Sequence, residues 1–311
     1  LVKVSTSIIN QYTVDHQASL RVRIIDPENN VVATGTKVFE ADAEKTCVVE
    51  QEFTILQPAL WDLSSPVLYR ADAEVILNGK LADKSVQHFG IRSISFNAQN
   101  GFQLNSKSLE LKGGCIHHDN GSLGARSFNR AEERKVELLK SAGFNAIRFA
   151  HNPPSPAILD ACDRLGMLAI DESFDVWRYG HFEGDYGTCF DSLWTMDIDH
   201  MVRRDRNHPA IIMWSIGNEI VNTLTGEIAE LCGVMADHVR SIDPTRPVTA
   251  ATNQVSDAKD PYLSHLDVCG YNYSAGQYEP DHERHPERIV YGSESFAIEA
   301  YDYWKKTKDL A

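Results

Sequence analysis

The chain has 311 residues, 42% of them hydrophobic and 24% charged, a composition that excludes extensive disorder and a length that suits two domains better than one. Its formal charge of −14 opposes a nucleic-acid partner, because phosphate backbones are bound by basic stripes that displace counterions. No run of about 18 apolar residues marks a membrane span, and the opening residues lack the basic and apolar blocks of a signal peptide.

Up to about residue 95 the pattern is β. Leu20, Val22 and Ile24 alternate with Arg21 and Arg23, the period of a strand with one buried face. Turn chemistry follows: Asp26-Pro27-Glu28-Asn29-Asn30 ends that strand, and Asn78-Gly79 supplies the positive φ angles of a tight hairpin. Short strands with polar turns predict an immunoglobulin-like β-sandwich over residues 1–95.

From about Leu109 short apolar segments alternate with stretches of helical period, as parallel βαβ units do. Seven strands are expected, at 109–115, 145–149, 167–171, 211–216, 247–251, 267–271 and 289–292, with helices at 130–141, 156–164 and 227–241. Residues 96–311 therefore read as a (β/α)₈ TIM barrel that lacks its last unit. A chain that starts at Leu1 reads as an excised segment.

In such a barrel the active site forms at the carboxyl ends of the strands. Strand one ends in Cys115-Ile116-His117-His118-Asp119, strand two in Arg148-Phe149-Ala150-His151-Asn152 and strand three in Asp171-Glu172. Strand four ends in Asn218-Glu219, strand six in Tyr271-Asn272-Tyr273 and strand seven in Ser293-Glu294. Taken singly, Glu219 or Glu294 is as well read as a strand cap or a structural ion pair. Two carboxylates across one barrel mouth, however, are what glycoside hydrolysis requires, one to protonate the leaving oxygen and one to attack the anomeric carbon.

Several segments then carry a resemblance. Pro58, Trp61, Pro66, Leu68 and Tyr69 match a P-x-x-W…P-x-L-Y pattern, and Phe89-Gly90-Ile91-Arg92 follows at the junction. Leu111-Lys112-Gly113, Ile147-Arg148, His151-Asn152-Pro153-Pro154, Asp171-Glu172, Arg204-Asp205-Arg206-Asn207-His208-Pro209 and Trp214-Ser215-Ile216-Gly217-Asn218-Glu219 complete the set. Over nearly its whole length the chain resembles glycoside hydrolase family 2, the family of β-galactosidases, β-glucuronidases and β-mannosidases.

The resemblance implies a retaining mechanism, with Glu294 forming a covalent glycosyl-enzyme and Glu219 serving as acid and then as base, the carboxyl groups about 5 Å apart. Arg148 and a Tyr273 hydroxyl would keep Glu294 ionised, with Tyr271 a competitor for the second role. Asn218 is expected at the substrate 2-hydroxyl. His118, His151, Asn152 and Asp171 are expected to bind sugar hydroxyls.

No metal or cofactor is expected. His117 and His118, adjacent on a strand, point to opposite faces, and no H-x-H pair is present. The Mg²⁺ site of some family members uses a Glu-x-His after the third strand, where this chain has Ser173-Phe174-Asp175-Val176-Trp177. The six cysteines show no C-x-x-C spacing and read as packing residues, a usage that fits a reducing compartment. Trp177 and Trp194 fall in or near the loop after strand three as candidate sugar-stacking aromatics, with helix packing an equal reading for Trp194.

The expected activity is that of an exo-acting β-glycosidase on carbohydrate substrates. The His117-His118-Asp119…Gly121…Leu123-Gly124-Ala125 segment resembles bacterial β-galactosidases. A β-glucuronidase is the near alternative, and the Asn-x-Lys motif that reads a carboxylate falls beyond residue 311. A glycan-binding fragment without catalysis is the alternative of another class. A bacterial periplasm or cytoplasm is the expected location, and homo-oligomerisation is left open.

Overall fold

A computed structural model of the chain describes residues 1–296, 301 and 305. The chain divides into two compact units, 1–61 with 65–91 and 62–64 with 92–311. That division falls just ahead of the boundary expected near residue 95.

The first unit is a two-layer sandwich of antiparallel strands. They are β1 (Val2–Ile9), β2 (His16–Ile25), β3 (Val31–Ala41), β4 (Thr46–Phe53), β5 (Tyr69–Leu77) and β6 (Lys80–Phe89). β1 pairs with β4 in one sheet, and the other runs β3-β2-β5-β6. Leu20, Val22 and Ile24 face inward onto Val49, Phe53, Tyr69 and Ala71, each buried aliphatic side chain contributing roughly 1.5–3 kcal/mol. The intervening Arg21 and Arg23 face outward, where Glu74 accepts hydrogen bonds from both. Asn78 and Gly79 take φ of 50° and 75° between β5 and β6, the conformation of the hairpin turn that the dipeptide favours.

The second unit opens with a short antiparallel sheet, β7 (Ile94–Asn97), β8 (Gly101–Leu104) and β9 (Lys107–Ser108). Then come β10 (Gly113–Ile116), α1 (Asn129–Ser141), β11 (Ala146–Phe149), α2 (Pro156–Leu165) and β12 (Leu168–Glu172). They continue as α3 (Phe190–Asp205), β13 (Ile211–Asn218), α4 (Gly226–Ile242), β14 (Val248–Thr252), α5 (Asp260–Leu263), β15 (Val268–Asn272), α6 (Tyr278–Arg284) and β16 (Val290–Glu294). β10 to β16 form one seven-stranded parallel sheet in chain order, the arrangement of a (β/α)₈ barrel short of one unit among the described residues. Every residue of β11 to β15 is buried, as strands covered on both faces must be.

The first barrel strand starts later than the apolar run 109–115 predicts. Leu109 donates its N–H to the Phe102 carbonyl and so belongs to the preceding hairpin. α3 and the short helices α5 and α6 go beyond the helices that periodicity marks. α2 carries proline in its first turn and ends at Gly166, with φ 72°. A Cβ at Gly166 would lie 2.4 Å from the Leu63 carbonyl oxygen, so glycine is required by both conformation and space.

The segment Arg204 to Pro209, part of the family resemblance, lies behind the sheet rather than at its mouth. Arg204 holds Asp205 through two nitrogens and reaches the Pro154 carbonyl, while His208 Nδ1 lies 2.6 Å from Asp163. Arg92 likewise donates to the Pro209 and Ile211 carbonyls at the start of β13. These residues brace the strands that present the site.

Candidate active site

The site forms at the carboxyl ends of the barrel strands and is organised by one buried cation. Arg148, on β11, is 3% exposed. Burying a guanidinium costs several kcal/mol unless its donors are met by acceptors. Here Nε and Nη2 donate to Glu172 at 3.0 and 2.7 Å, Nη1 to Glu294 at 2.7 Å, and Nη2 also to Asn218 Oδ1 at 3.0 Å. Burial alone would weaken the cation, but Glu172 and its neighbours outweigh that and hold Arg148 charged.

Glu294 closes β16. Burial pushes its carboxyl up, yet the Tyr273 hydroxyl at 2.5 Å and the Arg148 guanidinium together bring it below the usual glutamate value, so it stays ionised. The same bond, with burial, raises the Tyr273 hydroxyl to about 12, which keeps its proton in place as the donor. Tyr271, the competitor, is fully buried and donates instead to Asp281.

Glu219 follows β13. Its Oε1 accepts a hydrogen bond from Asn272 Nδ2 at 3.0 Å, and Asn272 also donates to Asn218 Oδ1 at 3.1 Å. Glu219 and Tyr273 take φ of 43° and 52°, a left-handed conformation that L side chains visit at a cost of roughly 1–3 kcal/mol. Each residue thereby leaves the alternation of its strand. The Glu219 N–H is tied to the Ala251 carbonyl at 2.8 Å and that of Tyr273 to the Glu294 carbonyl at 2.9 Å.

Of the remaining sequence candidates, Asn218 and His151 join this cluster. His151 Nδ1 lies 2.7 Å from Glu172 Oε1, and its Nε2 lies 3.8 Å from Glu294. Asn218 Nδ2 makes a long bond of 3.3 Å to Asp175.

Asp171 is a correction. In the parallel pairing Arg148 stands opposite Ile170, so Ile170 and Glu172 face the site and Asp171 faces away from it. It is completely buried near Asp205; burial first, then that second carboxylate, raise its carboxyl well above the ordinary value. Glu172 is the residue that reaches the site, bonded to Arg148, His151 and Ser215.

His118 and Asn152 are exposed and make no hydrogen bond to this cluster among the described residues. His117 rather than His118 meets His151, edge to face at 5.1 Å. Trp177 is not a sugar platform: it is fully buried, donates to the Ile216 carbonyl at 2.7 Å and stacks on Phe190. Trp194 packs against Phe190 and His238.

Glu172, although within the matching Asp171-Glu172 segment, and Asn272 and Ser293, although at strand ends, carry no role assigned from the sequence. Their signal was strand alternation counted from Arg148 and Glu294, which needs the register between strands before it can be used. Cys115 also enters the cluster, with its Sγ 3.6 Å from Arg148 Nη1 and 3.3 Å from the Ser293 carbonyl. Burial raises its thiol, so it packs as a neutral group.

Asp260, Asp281 and His285 bring potential metal-ligand atoms within 4.8 Å of one another. Arg288 already bonds both carboxylates and Arg284 bonds Asp281, which occupies their lone pairs and opposes a further cation.

The family model described as glycosyl hydrolases family 2 matches residues 1–92, and that of the family 2 TIM barrel domain matches residues 97–289. The chain is 36% identical over 305 residues to a β-galactosidase of Bacteroides ovatus, covering 88% of this chain and 36% of that protein. A solved family 2 member from Bacteroides cellulosilyticus is 52% identical with a TM-score of 0.96, over 99% of this chain and 40% of that one. Bacteroides uniformis β-glucuronidase 2, solved covalently bound to cyclophellitol-6-carboxylate aziridine, is 25% identical with a TM-score of 0.81, over 93% and 37%. The chain therefore spans well under half the length of these relatives. With both units matched by models of one family, the chain belongs to glycoside hydrolase family 2.

Proposed function

We propose that this chain carries the catalytic centre of a retaining exo-β-glycosidase for terminal β-linked sugars, β-galactosides foremost. The observation that carries the reading is the pairing of Glu294 with both Arg148 and Tyr273, which keeps that carboxylate ionised, while a second, Glu219, is bonded to Asn272, the neighbour of Tyr273.

In the first step Glu294 attacks the anomeric carbon while Glu219 gives its proton to the departing glycosidic oxygen. The C–O bond to the aglycone breaks and an ester bond to Glu294 forms. Glu219, now a carboxylate, takes a proton from water. The hydroxide equivalent displaces Glu294 from the sugar, restoring both groups and the original anomeric configuration. Asn218 Nδ2, with one long bond to Asp175, has donor capacity for the sugar 2-hydroxyl, a contact that strengthens in the transition state. His151 presents its Nε2 edge beside Glu294, and His118 and Asn152 offer exposed polar groups to the outer sugar hydroxyls.

The Bacteroides ovatus relative supports β-galactosides, and the Bacteroides uniformis enzyme with its 6-carboxylate inhibitor supports β-glucuronides as the second reading. Release of nitrophenol from the two β-glycosides by a polypeptide containing this chain decides between them. Glu294→Gln and Glu219→Ala should each lower turnover by roughly 10³-fold or more. An active wild type whose Glu294→Gln variant keeps its rate overturns the nucleophile assignment. No release from any sugar favours a glycan-binding module instead.

A further inference from the structure

We infer that Asn272 is a positioning residue for Glu219: it determines which carboxyl oxygen carries the proton, and Ser293 in turn fixes the orientation of Asn272. The inference rests on the reading of Glu219 as the acid/base.

The argument begins at Arg148, which can only donate. Its Nη2 bond to Asn218 makes the bonded atom of that amide the oxygen, an acceptor. Asn272 reaches the same oxygen at 3.1 Å and must therefore present its NH₂ group there. That leaves Asn272 Oδ1 to accept from the Ser293 hydroxyl at 2.6 Å. Asn272 is fully buried, and a flipped amide would set its oxygen against two other acceptors, an arrangement that costs roughly 1–3 kcal/mol for each group left unsatisfied.

With the amide so fixed, Nδ2 also donates to Glu219 Oε1 at 3.0 Å. A proton on Oε1 would compete with that N–H group, so the acidic proton resides on Oε2, which accepts no hydrogen bond from the described residues. Oε2 is then the oxygen that delivers the proton to the leaving group.

The two carboxylates are thereby held by consecutive residues, Glu219 by Asn272 and Glu294 by Tyr273. Side chains of consecutive strand residues normally diverge; the left-handed backbone at Tyr273, φ 52°, lets both serve one site. Ser293, the neighbour of Glu294, links the acid's orientation to the strand that bears the nucleophile.

The test is kcat/KM for Asn272→Ala and Ser293→Ala over aryl β-glycosides ranging from dinitrophenyl, which needs little acid help, to phenyl, which needs much. Asn272→Ala should lose roughly 10–100-fold on the phenyl glycoside and under about 3-fold on the dinitrophenyl one. Ser293→Ala should show the same pattern with a smaller loss. Equal losses across all leaving groups would overturn the inference, since a structural or sugar-binding role does not depend on the aglycone. Should Asn272→Ala not fold, as judged by its thermal melt, Ser293→Ala carries the test with only a hydroxyl removed. Glu219→Ala separates the two levels: a steep leaving-group dependence there with a flat one in both other variants overturns the positioning role alone. A flat dependence in Glu219→Ala overturns the acid/base reading itself.

Discussion

Arg148 Nη1 lies 2.7 Å from Glu294 Oε1 while the same guanidinium holds Glu172 through Nε and Nη2. The bond to the fully buried Glu172 sets the plane of the fork, and the remaining corner meets Glu294. Because a guanidinium is rigid and planar, fixing one carboxylate fixes the geometry offered to the other.

Tyr273→Phe removes one of the groups that hold Glu294 below the usual glutamate range. The group that must be ionised for attack then protonates at higher pH, so the acid limb of kcat/KM moves upward. The rate near neutrality falls by roughly 10-fold or more, the worth of a hydrogen bond to a charged acceptor. A pH–rate profile checks this, and an acid limb that stays in place removes Tyr273 from the account.

Glu172→Gln leaves the Arg148 charge buried with one carboxylate fewer. Breaking a buried ion pair in this way costs about 3–5 kcal/mol, read as a lower denaturant midpoint. A change within about 1 kcal/mol would mean that Glu294 and Asn218 satisfy the cation unaided.

Asp171→Asn tests the buried carboxyl that faces away from the site. Burial and then Asp205 raise Asp171 well above its ordinary value, so the fold holds it protonated. A group protonated more firmly in the folded than in the unfolded chain adds stability that is complete below the unfolded value and is lost as pH rises through the folded one. Wild type should therefore lose melting temperature with rising pH above the ordinary carboxylate range, while Asp171→Asn, which mimics the protonated form, loses less. Parallel curves for the two proteins would contradict the assignment.

Trp177→Ala should destabilise the protein by about 3–5 kcal/mol, because a large buried ring and its bond to the Ile216 carbonyl are lost. A sugar-stacking role would instead raise KM and leave the melting temperature unchanged. Thermal denaturation alongside kinetics distinguishes the two.

Local patterns decided much of this molecule. The alternation around Leu20, Val22 and Ile24, the turn at Asn78-Gly79 and the spacing of apolar segments from 145 onward are properties of neighbouring residues. They set the sandwich, the succession of parallel strands and the positions of Glu219 and Glu294 at the ends of the fourth and seventh of them. The tertiary structure decided which of two adjacent residues faces the site. Tyr273 rather than Tyr271 reaches Glu294 because its left-handed backbone leaves the alternation, and of the adjacent Asp171 and Glu172 only Glu172 enters. The physical reason is that a step of one residue reverses the face of a strand side chain, so strand identity alone leaves each such choice undecided until the pairing with distant strands sets it. The bond between Asn272 and Glu219 joins strand ends 53 residues apart, a distance over which no local periodicity carries information.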